Sequence, residues 1–278
     1  MRALLTVAHL TIHEAGRRRI LLATVIGGAG FVALYATGFH FIVRDMRSHG
    51  GLDGLQTRLT LTFFTLAGLY GANFLAVMTA VLLPVDTLSG EIGSGVLQTL
   101  ASKPVRRSDI LLGKWLAFVT IALVYLAVLA SGVLLAAKLH AGTLPPNIGR
   151  GLALMALEVT LMVTLSIVGG TRLSTITNGV MVFGLYGLAF IGSWVERIGT
   201  VAGNHAAERI GTLASLLVPS ESMWLLAAHL MQPGFMRGLE ITPFTAGLAP
   251  SPAMVWWAAG YTLAALLLAI YWFRRRPL

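Results

Sequence analysis

The stretch SGEIGSGVLQTLASKPVRRSDILLGK, residues 89–114, separates two long apolar runs. It holds three glycines before Lys103, an acid at Glu91 and four bases, Lys103, Arg106, Arg107 and Lys114. Such an insert stands out because the chain around it is so apolar. Of the 278 residues, 56% are hydrophobic and only 11% charged. A soluble domain carries about 25% charged residues, so this chain cannot cover a water-facing surface. The composition is that of an integral membrane protein. Cysteine is absent, which excludes disulfides, iron–sulfur clusters and thiolate metal sites. The net charge of +9 lies mostly beside apolar runs, where membrane lipids with anionic headgroups, and not nucleic acid, are the expected partners.

Working outward, a spanning helix needs roughly 20 apolar residues. Six stretches meet or approach that length: 20–43, 59–85, 115–137, 151–170, 179–195 and 253–273. The first follows Arg17, Arg18 and Arg19 but is too long for a signal-peptide core, so it reads as an uncleaved span. Six spans place both termini on one side. With that side inside, the inner segments hold 12 Lys and Arg residues and the outer segments 8. The positive-inside rule then makes residues 89–114 and both termini cytoplasmic, in a multi-pass protein of the cytoplasmic (inner) membrane.

The segments outside the spans have patterns of their own. Over residues 1–19, Leu4, Ala8, Ile12 and Ala15 recur at helical spacing, while Arg2, Thr6, His9, His13 and Arg17 fall elsewhere. This predicts an amphipathic helix at the inner interface, an anchor that could also hold a cytoplasmic partner. His9 and His13 are four apart and could share a metal from one face. The order HLTIH lacks the internal Glu of a zinc-protease helix, and a solvated polar face is the better reading. The long outer segment, 196–251, contains VPSESMWLLAAHLMQP. There Ser220 is a candidate cap, and Pro219 and Pro233 bracket a helix too short to span. It is expected in the outer interface, over the outer mouth of a pathway, or packed on the bundle.

Within the quoted stretch, Pro84 is expected to close the second span. From Glu91, Ile92, Val96, Leu97 and Leu100 share an apolar side at helical spacing. Pro104 stops this short helix, because the residue before proline avoids helical geometry. Ser108 is then a plausible N-cap for the third span. A short helix parallel to the membrane and rimmed with charge suits force transmission, since a soluble partner gripping it moves two spans together. A basic loop that only sets topology is the alternative.

These residues support a resemblance. The run Glu91, Gly95, Leu97, Leu100, Ser102, Pro104, Arg107 and then Gly113-Lys114 resembles the first cytoplasmic loop of ABC-2 type permeases, the six-span membrane subunits of ATP-binding-cassette exporters. The N-terminal interfacial helix and PSESMW before the last span are similar to this family too. The chain departs from the family at Ile92, where a second acid is common, and at Arg106, where a small hydroxyl residue is common. The resemblance implies that 86–109 is a coupling loop fitting a cleft on an ATP-hydrolysing subunit. Val96, Leu97 and Leu100 would fill the cleft, with Glu91 and Arg107 at its charged rim. The shorter inner loop TRLSTITN, 171–178, would touch the same partner.

The chain carries no P-loop of its own. Gly113-Lys114 is followed by Trp115, and the position where that motif needs its first glycine is Ser108. ATP and magnesium are therefore expected on a partner chain, with no cofactor in this one. Among the acids, Glu158 alone lies well within a span, about 12 Å deep at 1.5 Å per residue. It lines a pathway or locks two helices as a buried carboxyl, and Asn73 is placed to hydrogen-bond it. An intramembrane enzyme or a secondary transporter centred on Glu158 is the competing class. No internal repeat favours the latter, and the Ala67/Gly71 pair suggests close helix packing.

The sequence thus predicts an all-α membrane protein with one permease domain over 1–278. It has six spans, an interfacial elbow helix, a cytoplasmic coupling helix and a long outer loop with short helices before the last span. Six helices are few for a pathway, so a second permease copy, identical or similar, and two copies of the ATPase are expected. Apolar spans lean toward a hydrophobic or amphipathic cargo.

Overall fold

In the computed structural model, residues 2–49, 54–93, 106–234 and 250–276 are described. All regular structure among them is helical: α1 (Arg2–Gly16), α2 (Arg19–His49), α3 (Leu55–Gly93), α4 (Arg107–Ala141), α5 (Ile148–Gly170), α6 (Thr175–Ala202), α7 (His205–Leu217), α8 (Ser220–Met231) and α9 (Ala253–Arg275). Six of these, α2 to α6 and α9, are long and apolar enough to cross a membrane. The six-span all-helical architecture read from the sequence is the architecture found.

The helices pack round α5, which touches α3, α4, α6, α8 and α9. Its last ten residues, from Leu161 to Gly170, are buried without a break. The core is built from Leu66, Leu69, Leu83, Ile110, Leu111, Leu129, Met155 and Trp224, with Phe273 closing one end. Small residues set how closely the helices approach. A Cβ at Gly71 would lie 2.7 Å from the Phe31 ring, and one at Gly68 would overlap Tyr35. The small-residue face of α3 is thus used within the chain, to seat α2.

Several local expectations are corrected. Helix α3 does not stop at Pro84; it runs on to Gly93. A proline costs a helix one hydrogen bond and crowds the preceding turn. Here neighbours serve the carbonyls around it: Ser166 donates to Val81 O at 3.1 Å and Asn178 Nδ2 to Val85 O at 3.4 Å. Such rescue by adjacent helices is what lets proline persist in a membrane helix. Helix α4 starts one residue before Ser108, with extended Arg106 as its cap. Ser220 likewise lies inside α8, where Pro219 holds the cap position and no side chain caps. On α1 the face against α4 consists of Leu4, Val7, Ala8, Thr11 and Ala15, whereas Ile12 is exposed. The helix presents apolar flanks on both sides of its buried stripe, so a single apolar side was too simple a reading.

The described part of the segment between α6 and α9 also differs from an interfacial lid. Helix α7 doubles back along α6 through a seam of small residues. A Cβ at Gly199 would meet Ala207 at 2.8 Å, and one at Gly192 would overlap Ala214. Gly192 lies ten residues before the end of α6, so the tip of α7 descends about 15 Å along the bundle at 1.5 Å per residue. The chain then bends by 102° into α8. Helix α8 climbs back against α5 until Met231 meets Gly151 and the Asn147 side chain donates to Leu230 O at 3.2 Å. Of the alternatives, packing within the bundle is the one found.

Candidate functional site

Two constellations stand out, one at each end of the bundle. The first frames the segment 94–105, where the sequence led us to expect a coupling loop. Of the residues expected to contact a partner there, Gly95, Val96, Leu97, Leu100 and Pro104 lie outside the described residues, and Glu91 is described only as backbone in the last turn of α3. What is described is where the loop leaves the bundle and where it returns.

At the departure, the end of α3 is tied on two sides. Asp86 Oδ1 accepts from Thr175 Oγ1 at 3.0 Å, which joins α3 to the first turn of α6. Asn178, fully buried, donates to Ser166 O at 2.9 Å as well as to Val85 O, so one amide stitches α3, α5 and α6. From the other side Arg18 donates to Thr87 Oγ1 at 3.2 Å and pairs with Glu14 at 2.6 Å. The junction of α1 and α2 is thereby fastened to the same turn of α3.

At the return, Arg107 is already engaged inside the chain. Its Nη1 donates to Arg276 O at 2.6 Å and Arg274 O at 3.4 Å, where unpaired helix-end carbonyls attract a cation. Arg276 in turn donates to Thr171 O, the first residue after α5. Arg172 lies 5.3 Å over the Trp272 ring. The α1–α2 junction, the end of α9, the turn between α5 and α6, and the helix ends that flank residues 94–105 therefore meet at one end of the bundle.

Helix α1 is seated against α4 in this same frame. A Cβ at Gly113 would come within 2.8 Å of both Leu4 O and Val7 Cβ. Glycine here allows backbone-to-backbone approach, which gives the Gly113-Lys114 pair a structural reason. Lys114, one residue on, is only 3% exposed. His9 and His13 lie on the exposed face of α1, with His13 Nδ1 bonded to His9 O at 3.1 Å.

The second constellation lies deep toward the other end. Glu158 of α5 and Asn73 of α3 are 0% and 1% exposed, and Asn73 Nδ2 donates to Glu158 Oε2 at 2.9 Å. Helix α8 brings Glu221, only 4% exposed, to where it interacts electrostatically with Glu158, Tyr70 and Arg197. Trp224 of α8 packs on Tyr70 with ring centroids 5.2 Å apart. Glu158 Oε1, Asn73 Oδ1 and Ser220 Oγ are buried with no hydrogen-bond partner. The polar cluster thus draws on α3, α5, α6 and α8. Glu221, Arg197 and Tyr70 were not singled out from the sequence. The available signal was an acid between two prolines in an apolar segment; Arg197 passed for an outer-loop base because α6 extends beyond the predicted span.

Among the described residues no group of three or more His, Asp or Glu could hold a metal ion. The first constellation gathers at one end of the six-span helical bundle and the second lies inside it. The family model of the ABC-2 family transporter proteins matches residues 6–278, and the chain belongs to that family. It is accordingly a multi-pass membrane component of an ABC transporter, a class whose ATPase is a partner. No curated protein matches the chain.

Proposed function

We propose that this chain is the permease subunit of an ABC exporter, moving its cargo at the expense of ATP hydrolysed on two copies of a separate subunit. A second permease copy, identical or similar, completes the pathway, and the termini and residues 86–109 face the cytoplasm. What carries this reading is the family membership over 6–278 together with the frame round the coupling loop. When the ATPase pair closes, residues 94–105 are displaced. The pull enters α3 at Asp86 and Thr87 and passes to α6 through Thr175, and to the α1–α2 junction through Arg18. At the other end it enters α4 and, through Arg107, reaches α9. One push on a short segment thus tilts several spans together. Glu158 and its neighbours lie in the spans being tilted, as pathway lining or as a polar lock between helices. The apolar spans favour a hydrophobic or amphipathic cargo.

The test is co-purification of a tagged chain from gently solubilised native membranes. An ATP-binding-cassette subunit near one-to-one, lost on Glu91→Ala, supports the proposal. Arg107→Ala is expected to leave that subunit bound and to reduce transport-coupled ATPase activity, because Arg107 acts on α9. An intact preparation with no ATPase subunit would sink the proposal and return 86–109 to a topology-setting loop.

A further inference from the structure

At the end of the bundle remote from the coupling loop, two histidines from different spans meet. His40 of α2 and His140 of α4, 100 residues apart, place their Nδ1 atoms 3.3 Å from each other. Their ring centroids are 4.9 Å apart and the planes stand at 71°. Two nitrogens bound at about 2.0–2.1 Å to a tetrahedral ion are held about 3.3–3.4 Å apart by the tetrahedral angle. The two Nδ1 atoms therefore have the spacing of neighbouring ligands on one such ion.

We propose that His40 and His140 bind a divalent transition-metal ion, with Zn2+ the best geometric fit, that bridges the ends of α2 and α4. The backbones carrying the ligands are held in place. Phe39, Val43, Leu61, Ala137 and Ala141 form a small buried cluster beside them, and Arg47 Nη2 donates to His140 O at 2.6 Å. His40 is exposed and His140 half-buried, so the protein does not close the pair off and an ion there has room for non-protein ligands in its remaining positions. No third His, Asp or Glu joins the pair among the described residues, which makes the site open and its affinity modest. Arg44, Arg47 and Lys138 are near in sequence and weaken any dication further. Imidazole nitrogen without carboxylates also selects against Mg2+ and Ca2+, which require oxygen ligands. The bridge would act on a loosely held element, since only 6% of the spanning window of α2 is buried in the bundle. Joining the two ends favours the arrangement in which they are together.

The experiment uses the full chain in lipid nanodiscs, stripped with a chelator and titrated with Zn2+ alone. Expected are one saturable Zn2+ site per chain and a Zn2+-dependent rise in unfolding temperature. Both should be lost in His40→Ala and in His140→Ala, and both kept in the His9→Ala/His13→Ala double variant, which removes the other histidine pair. A titration that neither single substitution alters, or one without a saturable site, overturns the proposal. Should the single variants fold poorly, X-ray absorption of the Zn2+-loaded His9→Ala/His13→Ala variant decides: two imidazole ligands support the bridge, and oxygen ligation alone refutes it.

Discussion

Helices α5 and α2 are both apolar enough to cross a membrane, yet 67% of the spanning window of α5 is buried in the bundle and 6% of that of α2. Helix α5 carries Glu158, Thr164 and Ser166, all fully buried, whereas α2 presents Leu22, Val25, Ile26, Leu34 and Phe41 outward. In water that arrangement would be perverse. In a bilayer lipid tails are as apolar as leucine, so burial no longer sorts side chains by hydrophobicity. What earns a central position is polar bonding that lipid cannot supply. Each buried polar group on α5 illustrates this: Asn73 donates to Glu158, Trp115 Nε1 donates to Thr164 at 2.9 Å, and Ser166 donates to Val81 O.

The contrast can be broken by substitution. The largest effect is expected for Trp224→Ala, which empties a site 1% exposed against α5 and α3. Soluble cores lose about 3–5 kcal/mol for such a change, and the lower end applies because lipid solvates apolar atoms well. Equilibrium unfolding in a fixed bilayer mimetic measures it. Next comes Asn73→Leu, which strips Glu158 of its donor and should cost about 1–3 kcal/mol. Glu158→Gln keeps a hydrogen bond with Asn73 and should cost clearly less, so equal losses would mean that the pair is not the stabilising feature. Gly113→Val should prise α1 off α4 at an overpacking cost of about 1–3 kcal/mol. Since the chain has no native cysteine, Val7→Cys labelling reports that release directly. Leu34→Ala, at a site 75% exposed on α2, should change stability by less than about 0.5 kcal/mol in lipid. A larger loss would mean that a partner covers this face.

Much of the fold was legible because a bilayer imposes a simple rule: a run of apolar residues long enough to cross must be helical. That rule found six spans with no packing information. It failed where local signals were overridden by neighbours. Pro84 reads as a stop until Ser166 and Asn178, 82 and 94 residues later in the chain, supply bonds to the carbonyls around it. The PSESMW segment reads as an outer helix because 12 residues cannot span; only the glycine seam of α6 and α7 turns it into the bundle. Glu158 could be flagged from sequence as a costly acid, and Asn73 as a candidate donor. Glu221 and Arg197 could not, because their meeting depends on the 102° bend.

By itself, the sequence determined membrane class, span number, the helical fold and the family resemblance, since these depend on composition and local motifs. The tertiary structure decided which span lies at the centre, that Arg107 is tied to the last helix, that α7 and α8 re-enter the bundle, and that His40 faces His140. Each of these depends on the approach of segments far apart in the chain. No local pattern encodes such an approach, because it is fixed jointly by small-residue seams and by polar groups that must find partners away from water.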